Sequence, residues 1–347
     1  MATLASLLGT EVPLIQAPMA GAQGSAMAIA VCNAGALGSL PGAMLAPERL
    51  REEIEAIRAQ TDKPYNLNFF CHHPPPPLPE AEASWRAALA PYYKEFGIDP
   101  AGIAAGPGRN PYSDEVADLI APFKPAVLSF HFGLPSEAQV ARAHAWGAKV
   151  IASATTVAEA RWLEARGVDA VIAQGLEAGG HRGHFLSDDL TRQLGTMALV
   201  PQIVQAVKLP VIAAGGIADA AGVRAALALG AAGVQVGSAY LACPESTISQ
   251  IHRDALAGEA ARHTALTRLF TGRPARGIVN RVMRELGPMS DAPPAFPLAT
   301  GAIAPLRAKA EAQGSGDFSP LWAGQNAHAN QAMPAAQRTR ELAAGFS

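Results

Sequence analysis

His181 lies in the run Gly179-Gly180-His181-Arg182-Gly183, where glycines let the backbone come close to a ligand. An imidazole in such a segment can serve as general base or hydrogen-bond donor near neutral pH. A surface-loop histidine is the plainer alternative. His131 and His184 are further candidates for the same pocket. His181-x-x-His184 has zinc-like spacing, but no adequate set of further ligands accompanies it, so no metal site is expected. His72-His73 beside a proline run reads as a loop feature, and Cys243 reads as packing, since no base adjoins it. Asn68 and Gln174 are amides that offer both donor and acceptor, which suits a heterocycle with adjacent N–H and C=O groups. Satisfied core amides are the alternative for these two. Gly215-Gly216 and Gly237-Ser238 are small-residue pairs of the kind that admit a phosphate to the backbone and to a following helix N-terminus.

These residues need a scaffold, and the hydrophobic pattern supplies one. Short apolar runs at Val12–Gln16, Gly35–Leu40, Asn66–Phe70, Ala126–Phe130, Lys149–Ser153, Ala170–Ala173, Pro210–Ala214 and Gly233–Val236 read as strands. Helical patterns lie between them. Pro47–Ala59 carries Leu50, Ile54 and Ile57 on one face; Ser136-x-x-Gln139 and Thr156-x-x-Glu159 are capping-box signatures, closed by Gly147 and Gly167. A helix near Met197–Val207 precedes the seventh strand, and Asp219 caps the next helix, which Gly230 ends. Eight such units predict an α/β fold, a (β/α)8 TIM barrel. An open doubly wound sheet is the second choice, and the lack of a G-x-G-x-x-G after the first strand counts against it.

In a barrel of this kind the chemistry sits at the C-terminal strand ends, and the loops after strands seven and eight favour phosphate. The candidates fall there: Pro18 and Met19 after strand one, Asn68 in strand three, His131 after strand four, Gln174 and the glycine–histidine run after strand six, and the two pairs above.

Two segments exceed a minimal barrel. Cys71–Pro111 contains Pro74–Pro77, a stiff extended piece, and a helix around Glu80–Ala90. The chain after about 243 is expected to be helical up to Leu269, then Gly- and Pro-rich, with helices near Ala304–Gln313 and Met333–Ala344. The expected organisation is a barrel from 1–242 plus a return at 320–347, with 243–319 as a mainly helical cap or substrate domain.

Composition bounds the partners. Of 347 residues, 49% are hydrophobic and 16% charged, which suits a large core. A net charge of −2 provides no basic excess for nucleic acid. Cys32, Cys71 and Cys243 form an odd, sparse set without C-x-x-C, as in a reduced intracellular protein. Met1 to Gly9 has no basic n-region, and no uninterrupted apolar run is long enough for a membrane span. A cytoplasmic monomer or homodimer, acting on small molecules and bound to no membrane, is the expectation.

Six motifs in chain order carry a family resemblance: Gln16-Ala17-Pro18-Met19-Ala20-Gly21, Asn66-Leu67-Asn68-Phe69-Phe70, Ser129-Phe130-His131-Phe132-Gly133, Ala173-Gln174-Gly175-x-Glu177-Ala178-Gly179-Gly180-His181-Arg182-Gly183, Ala213-Ala214-Gly215-Gly216-Ile217 and Gln235-Val236-Gly237-Ser238-Ala239-Tyr240. With Thr271-Gly272-Arg273-Pro274-Ala275-Arg276-Gly277 and Leu321-Trp322-Ala323-Gly324-Gln325, the sequence resembles the class I nitronate monooxygenases, formerly 2-nitropropane dioxygenases.

The resemblance implies FMN as cofactor. It places FMN against Asn68, Gln174, Gly179, Gly180, Gly215, Gly216, Gln235, Val236, Gly237 and Ser238, with Ala17, Pro18 and Met19 beside the ring. Ser238 stands where threonine is common and keeps the hydroxyl. The resemblance makes His181 catalytic, with His131, His184 and Trp322 in the substrate pocket. It implies oxidation of alkyl nitronates, such as propionate 3-nitronate, or of nitroalkanes, by O2 to carbonyl compounds and nitrite. His181 is then either a cationic anchor for the nitronate oxygens or a neutral base for the α-proton. The rival activities are NAD(P)H-dependent reduction of quinones or enoyl thioesters, and non-catalytic binding of a phosphorylated ligand.

Overall fold

The computed structural model describes residues 3–76, 78–103, 109–327 and 331–347; the last proline of the Pro74–Pro77 run lies outside the described residues. Strands follow in chain order as β1 (Leu14–Gln16), β2 (Gly38–Pro41), β3 (Tyr65–Phe70), β4 (Val127–His131), β5 (Lys149–Ala154), β6 (Ala170–Gln174), the two-residue β7 (Gly180–His181), β8 (Val211–Ala214), β9 (Gly233–Val236), β10 (Thr264–Thr267) and β11 (Ala275–Ile278).

Eight of these form one parallel sheet in the order β1-β9-β8-β6-β5-β4-β3-β2. A parallel bridge from Ile15 to Leu37 joins the two end strands and closes the barrel. Helices occupy the crossovers, giving the (β/α)8 TIM barrel that the apolar periodicity predicts. Ser136 and Gln139 form both halves of a capping box. Thr156 caps its helix through the Glu159 N–H, but the Glu159 carboxylate does not reach back. It instead accepts from Thr155 N and Oγ1 at 2.7 and 2.8 Å and from Phe185 N at 2.7 Å, so it ties two barrel loops together. β1 and β2 start later than their apolar runs because Glu11 and Val12 both donate to the Gly35 carbonyl, which makes a turn of those residues.

The barrel interior is plugged at its N-terminal end. Ile15, Leu37, Ile151, Ile172 and Ile212 meet Leu4 and Leu8 of the first helix in one apolar cluster. At the other end, a second core joins two parts of the chain that are distant in sequence. Trp85, Leu89, Tyr92 and Tyr93, on the helix Pro79–Glu95, pack with Leu269, Phe270, Met283, Ile303, Leu306 and Phe318. Trp85 Nε1 donates to the Ala299 carbonyl at 3.0 Å, and Tyr93 Oη to the Ala302 carbonyl at 2.6 Å.

The expected helix reaching Leu269 is not formed. Helix Gln250–Ala257 and a short turn give way to β10, which pairs antiparallel with β11. The other edge of β11 pairs with β7, placing Ala275 opposite His181 and Arg276 opposite Gly180. The glycine–histidine segment is therefore a held strand rather than a flexible loop. The chain end returns as helix Ala335–Ala343, joined to the barrel by the Thr339–Tyr240 hydroxyl contact at 2.9 Å and by Glu245, which accepts from Ala335 N. Among the described residues no helix is long and apolar enough to cross a membrane.

Candidate active site

A cavity of about 460 Å³ opens at the C-terminal ends of the barrel strands. Ala17, Pro18 and Met19 after β1, Asn68 in β3, His131 ending β4 and Gln174 ending β6 all line it. So do Gly179, Gly180 and His181, Gly215 and Gly216 after β8, Gln235 in β9, Gly237 and Ser238, and Trp322 on the returning chain. Two sequence-predicted residues do not. Val236 points into the core, and only its carbonyl takes part, accepting from Ala17 N at 2.8 Å. His184 lines a separate cavity with Phe132 and Arg273, and its Nε2 lies 3.4 Å from the Asp188 carboxylate. Alternation along an extended segment accounts for the latter, since Gly183 N donates inward to Gln174 Oε1 at 2.8 Å.

A buried polar layer sets the cavity floor. Ser39 Oγ donates to the Gln16 carbonyl at 2.6 Å, and Asn66 Nδ2 donates to Ser39 Oγ and Ser129 Oγ, both at 2.9 Å. Asn68 Nδ2 donates to Ser129 Oγ at 2.9 Å and to its carbonyl at 3.1 Å. Both amide hydrogens of Asn68 are thus engaged within the protein, which leaves its Oδ1 to serve a ligand as acceptor. Gln174 departs from the sequence expectation more strongly. Its Nε2 donates to the His181 carbonyl at 3.0 Å while its Oε1 accepts from Gly183, so the amide positions the histidine strand. Fully buried Arg182 reinforces that strand, donating to the carbonyls of Gln174 and Gly175 and to Gln193 Oε1 at 2.7–2.8 Å.

His181 is fixed by residues from four separate segments. Its Nε2 lies 2.9 Å from Thr271 Oγ1. That hydroxyl donates to the Arg273 carbonyl at 3.3 Å, so it receives His181 Nε2–H and leaves Nδ1 as the basic nitrogen. The ring sits among Phe132, Phe296 and Trp322, with centroids 6.0, 5.4 and 5.6 Å away. Burial, then the charge of Arg109, push its pKa well below the ordinary value. A neutral imidazole near pH 7 follows. Beside it, His131 Nε2 donates to the His181 carbonyl at 3.2 Å and its Nδ1 accepts from Ser153 Oγ at 3.0 Å; burial holds its pKa down at about 3. Phe132 between them has φ of 70°, a left-handed conformation that a bulky residue adopts only under constraint.

At the β8–β9 end, Gly215 and Gly216 have φ of 116° and 74°. The expected helix N-terminus does not follow directly: that helix begins at Ala220, and Asp219 caps it by accepting from Gly222 N at 2.8 Å. Ser238 opens only a four-residue helical turn, and its hydroxyl accepts from Gly324 N at 2.8 Å. Close backbone approach, rather than a helix dipole, is what this end offers an anion. Gln235 Oε1 is buried with no partner among the described residues. A Cβ on Gly237 would project toward Ala17 Cβ and Met19 Sδ, 3.4 and 3.8 Å away, into space that glycine leaves open. These features suit a flat heterocycle with donor N–H groups, carrying a phosphate toward the glycines.

The nitronate monooxygenase family model matches residues 2–345. A nitronate monooxygenase of Paraburkholderia phytofirmans is 45% identical, over 98% of this chain and 93% of its own. One from Pseudomonas aeruginosa is 44% identical, over 97% of this chain and 96% of its own. The crystal structure of a nitroalkane oxidase from Streptomyces ansochromogenes superposes with a TM-score of 0.89 at 38% identity, covering 99% of this chain and 98% of that one. The match spans nearly the whole chain, and on it the chain belongs to the nitronate monooxygenase family.

Proposed function

We propose that the cavity binds FMN and that the protein oxidises alkyl nitronates with O2 to carbonyl compounds and nitrite. The carrying observation is the seating of His181: a neutral, tautomer-fixed imidazole in the same cavity as the Gln235 acceptor and the Gly215–Gly216 and Gly237–Ser238 turns. In this reading Asn68 Oδ1 and Gln235 Oε1 accept from the ring, Ala17 to Met19 lie beside it, and Gly179, Gly180, Gly215, Gly216, Gly237 and Ser238 admit the rest of the cofactor. Val236 contributes through its carbonyl only. Bound FMN supplies the electron acceptor that the protein's own side chains lack.

The chain's residues do the rest. His181 Nδ1 takes the α-proton of a nitroalkane, generating the nitronate in place, while His181 keeps its Nε2 proton, donated to Thr271 Oγ1. Phe132, Phe296 and Trp322 pack around the ring and hold its orientation, and His131 steadies the backbone beneath it. We read 1–242 with 320–347 as the cofactor-binding barrel and 243–319 as the cap on the substrate side, with helix Pro79–Glu95 sharing the cap's core. Chromatography of the cofactor released by heat tests the assignment. FMN is expected; FAD, or no flavin after reconstitution, overturns it.

A further inference from the structure

Arg109 lines the same cavity, and its charge is felt at His181 there. Its carbonyl is anchored by His72 Nε2–H at 2.9 Å, which fixes the start of the side chain. Its guanidinium carbon lies 5.7 Å from the centroid of Phe296, the ring that also faces His181 at 5.4 Å. The cation and the imidazole therefore flank one aromatic wall.

The charges around the cavity are otherwise matched. Glu177 spends its carboxylate on Thr196 N and Oγ1 at 2.7–2.9 Å, which starts a barrel helix. Glu311 pairs with Arg307 at 2.7 Å and accepts from Ser319 Oγ at 2.7 Å. Among the described residues no carboxylate pairs with Arg109, and burial alone lowers its pKa. A partly desolvated guanidinium held only by an aromatic face is an incomplete interaction, since charge taken from water needs a counter-charge. An arginine fork matches two oxygens on one planar centre. His181, being neutral, does not supply that positive charge.

We propose that Arg109 is the anion anchor of the substrate site and binds a planar two-oxygen anion, either the O–N–O group of the nitronate or a carboxylate on the same molecule. The proposal rests on the reading that the cavity takes a nitronate. It divides the work: Arg109 holds charge, and His181 handles the proton.

The test compares flavin-loaded wild type, Arg109→Lys and Arg109→Met on ethyl nitronate, propionate 3-nitronate and neutral nitroethane. For Arg109→Met, KM should rise about 10- to 100-fold for a nitronate, on the scale of one charge-assisted pair, with little change for nitroethane. Arg109→Lys should fall between, since it keeps charge without the fork. A rise for both nitronates assigns the anchor to O–N–O, and a rise for propionate 3-nitronate alone assigns it to the carboxylate. Unaltered nitronate KM values, or an equal rise for nitroethane, overturn the proposal. Calorimetric titration with nitrite and with propionate gives a second readout independent of turnover. At least one should bind Arg109→Met about tenfold more weakly than wild type, and equal affinity for both refutes the anchor. A wild type that binds these anions but releases no nitrite from either nitronate would refute the proposed activity while leaving the anchor standing.

Discussion

Thr271 Oγ1 lies 2.9 Å from His181 Nε2, across a separation of 90 residues. This contact decides which ring nitrogen is basic, because the threonine hydroxyl is already donating to the Arg273 carbonyl. β11, paired with β7, keeps the two residues together. Of the two roles that the sequence leaves open for His181, this environment favours the neutral base over the cationic anchor.

Replacing His181 by Asn keeps a polar side chain and removes the proton acceptor. Turnover of nitroalkanes should fall by about 10²–10⁴-fold, the usual scale for general base catalysis. Turnover of preformed nitronates should survive much better, and flavin content should hold. Steady-state nitrite release on both substrate forms checks this. Equal losses on the two would show that His181 does not act as the base.

Gly237→Val tests the cofactor cradle. The backbone at Gly237, φ −111° and ψ −75°, lies outside the left-handed region, so the cost of a side chain falls on the cavity rather than on strain. The new methyls enter the space beside Ala17 and Met19. Flavin retention after gel filtration should drop at least about tenfold, with the Tm of the flavin-free protein within a few degrees of wild type. Full flavin content in the variant would move the cofactor elsewhere.

Much of this site is legible in the sequence because its parts terminate strands. Apolar runs bounded by glycine and proline mark β3, β6, β8 and β9, and Asn68, Gln174 and the glycine pairs follow from their ends. What is not legible comes from distant loops. Arg109 and Ser153 carry no local signal, Thr271 stands in a motif that does not disclose its role, and only the folded chain brings the three beside His181 and His131. β10 and β11 are four residues each and gain their partners from each other and from β7, so no local period announces them. His184 is misplaced for a simpler reason, since three residues along an extended chain reverse the direction of a side chain.

Acid should destabilise the fold through its buried histidines. Burial holds His184 at about 3 and His252 at about 4, against an ordinary value of 6.5. The unfolded chain then binds more protons than the folded one below pH 6.5, so stability is complete above that value and falls as pH drops towards 4. At pH 5 the loss is at most about 2 kcal/mol for each histidine. His252→Gln keeps a donor for the Trp322 carbonyl, 3.1 Å from Nε2, and should flatten part of the slope of Tm against pH. An identical slope would show that His252 is not protonated on unfolding.

The second core makes a separate prediction. Trp85 is fully buried and its indole N–H is bound to the Ala299 carbonyl. Trp85→Phe leaves that carbonyl without its donor and should cost about 1–3 kcal/mol in chemical denaturation. Flavin binding should be retained, since Trp85 does not line the cavity at the barrel mouth. Loss of flavin with no loss of stability would contradict the division between barrel and cap.

Nitrite release from propionate 3-nitronate by the flavin-loaded wild type in air, run beside anaerobic mixing with NADH, separates nitronate oxidation from NADH-driven reduction. Nitrite should form only with flavin present and with consumption of O2, and NADH should not bleach the flavin rapidly. Rapid bleaching by NADH, with no nitrite from the nitronate, would contradict nitronate oxidation and identify a reductase.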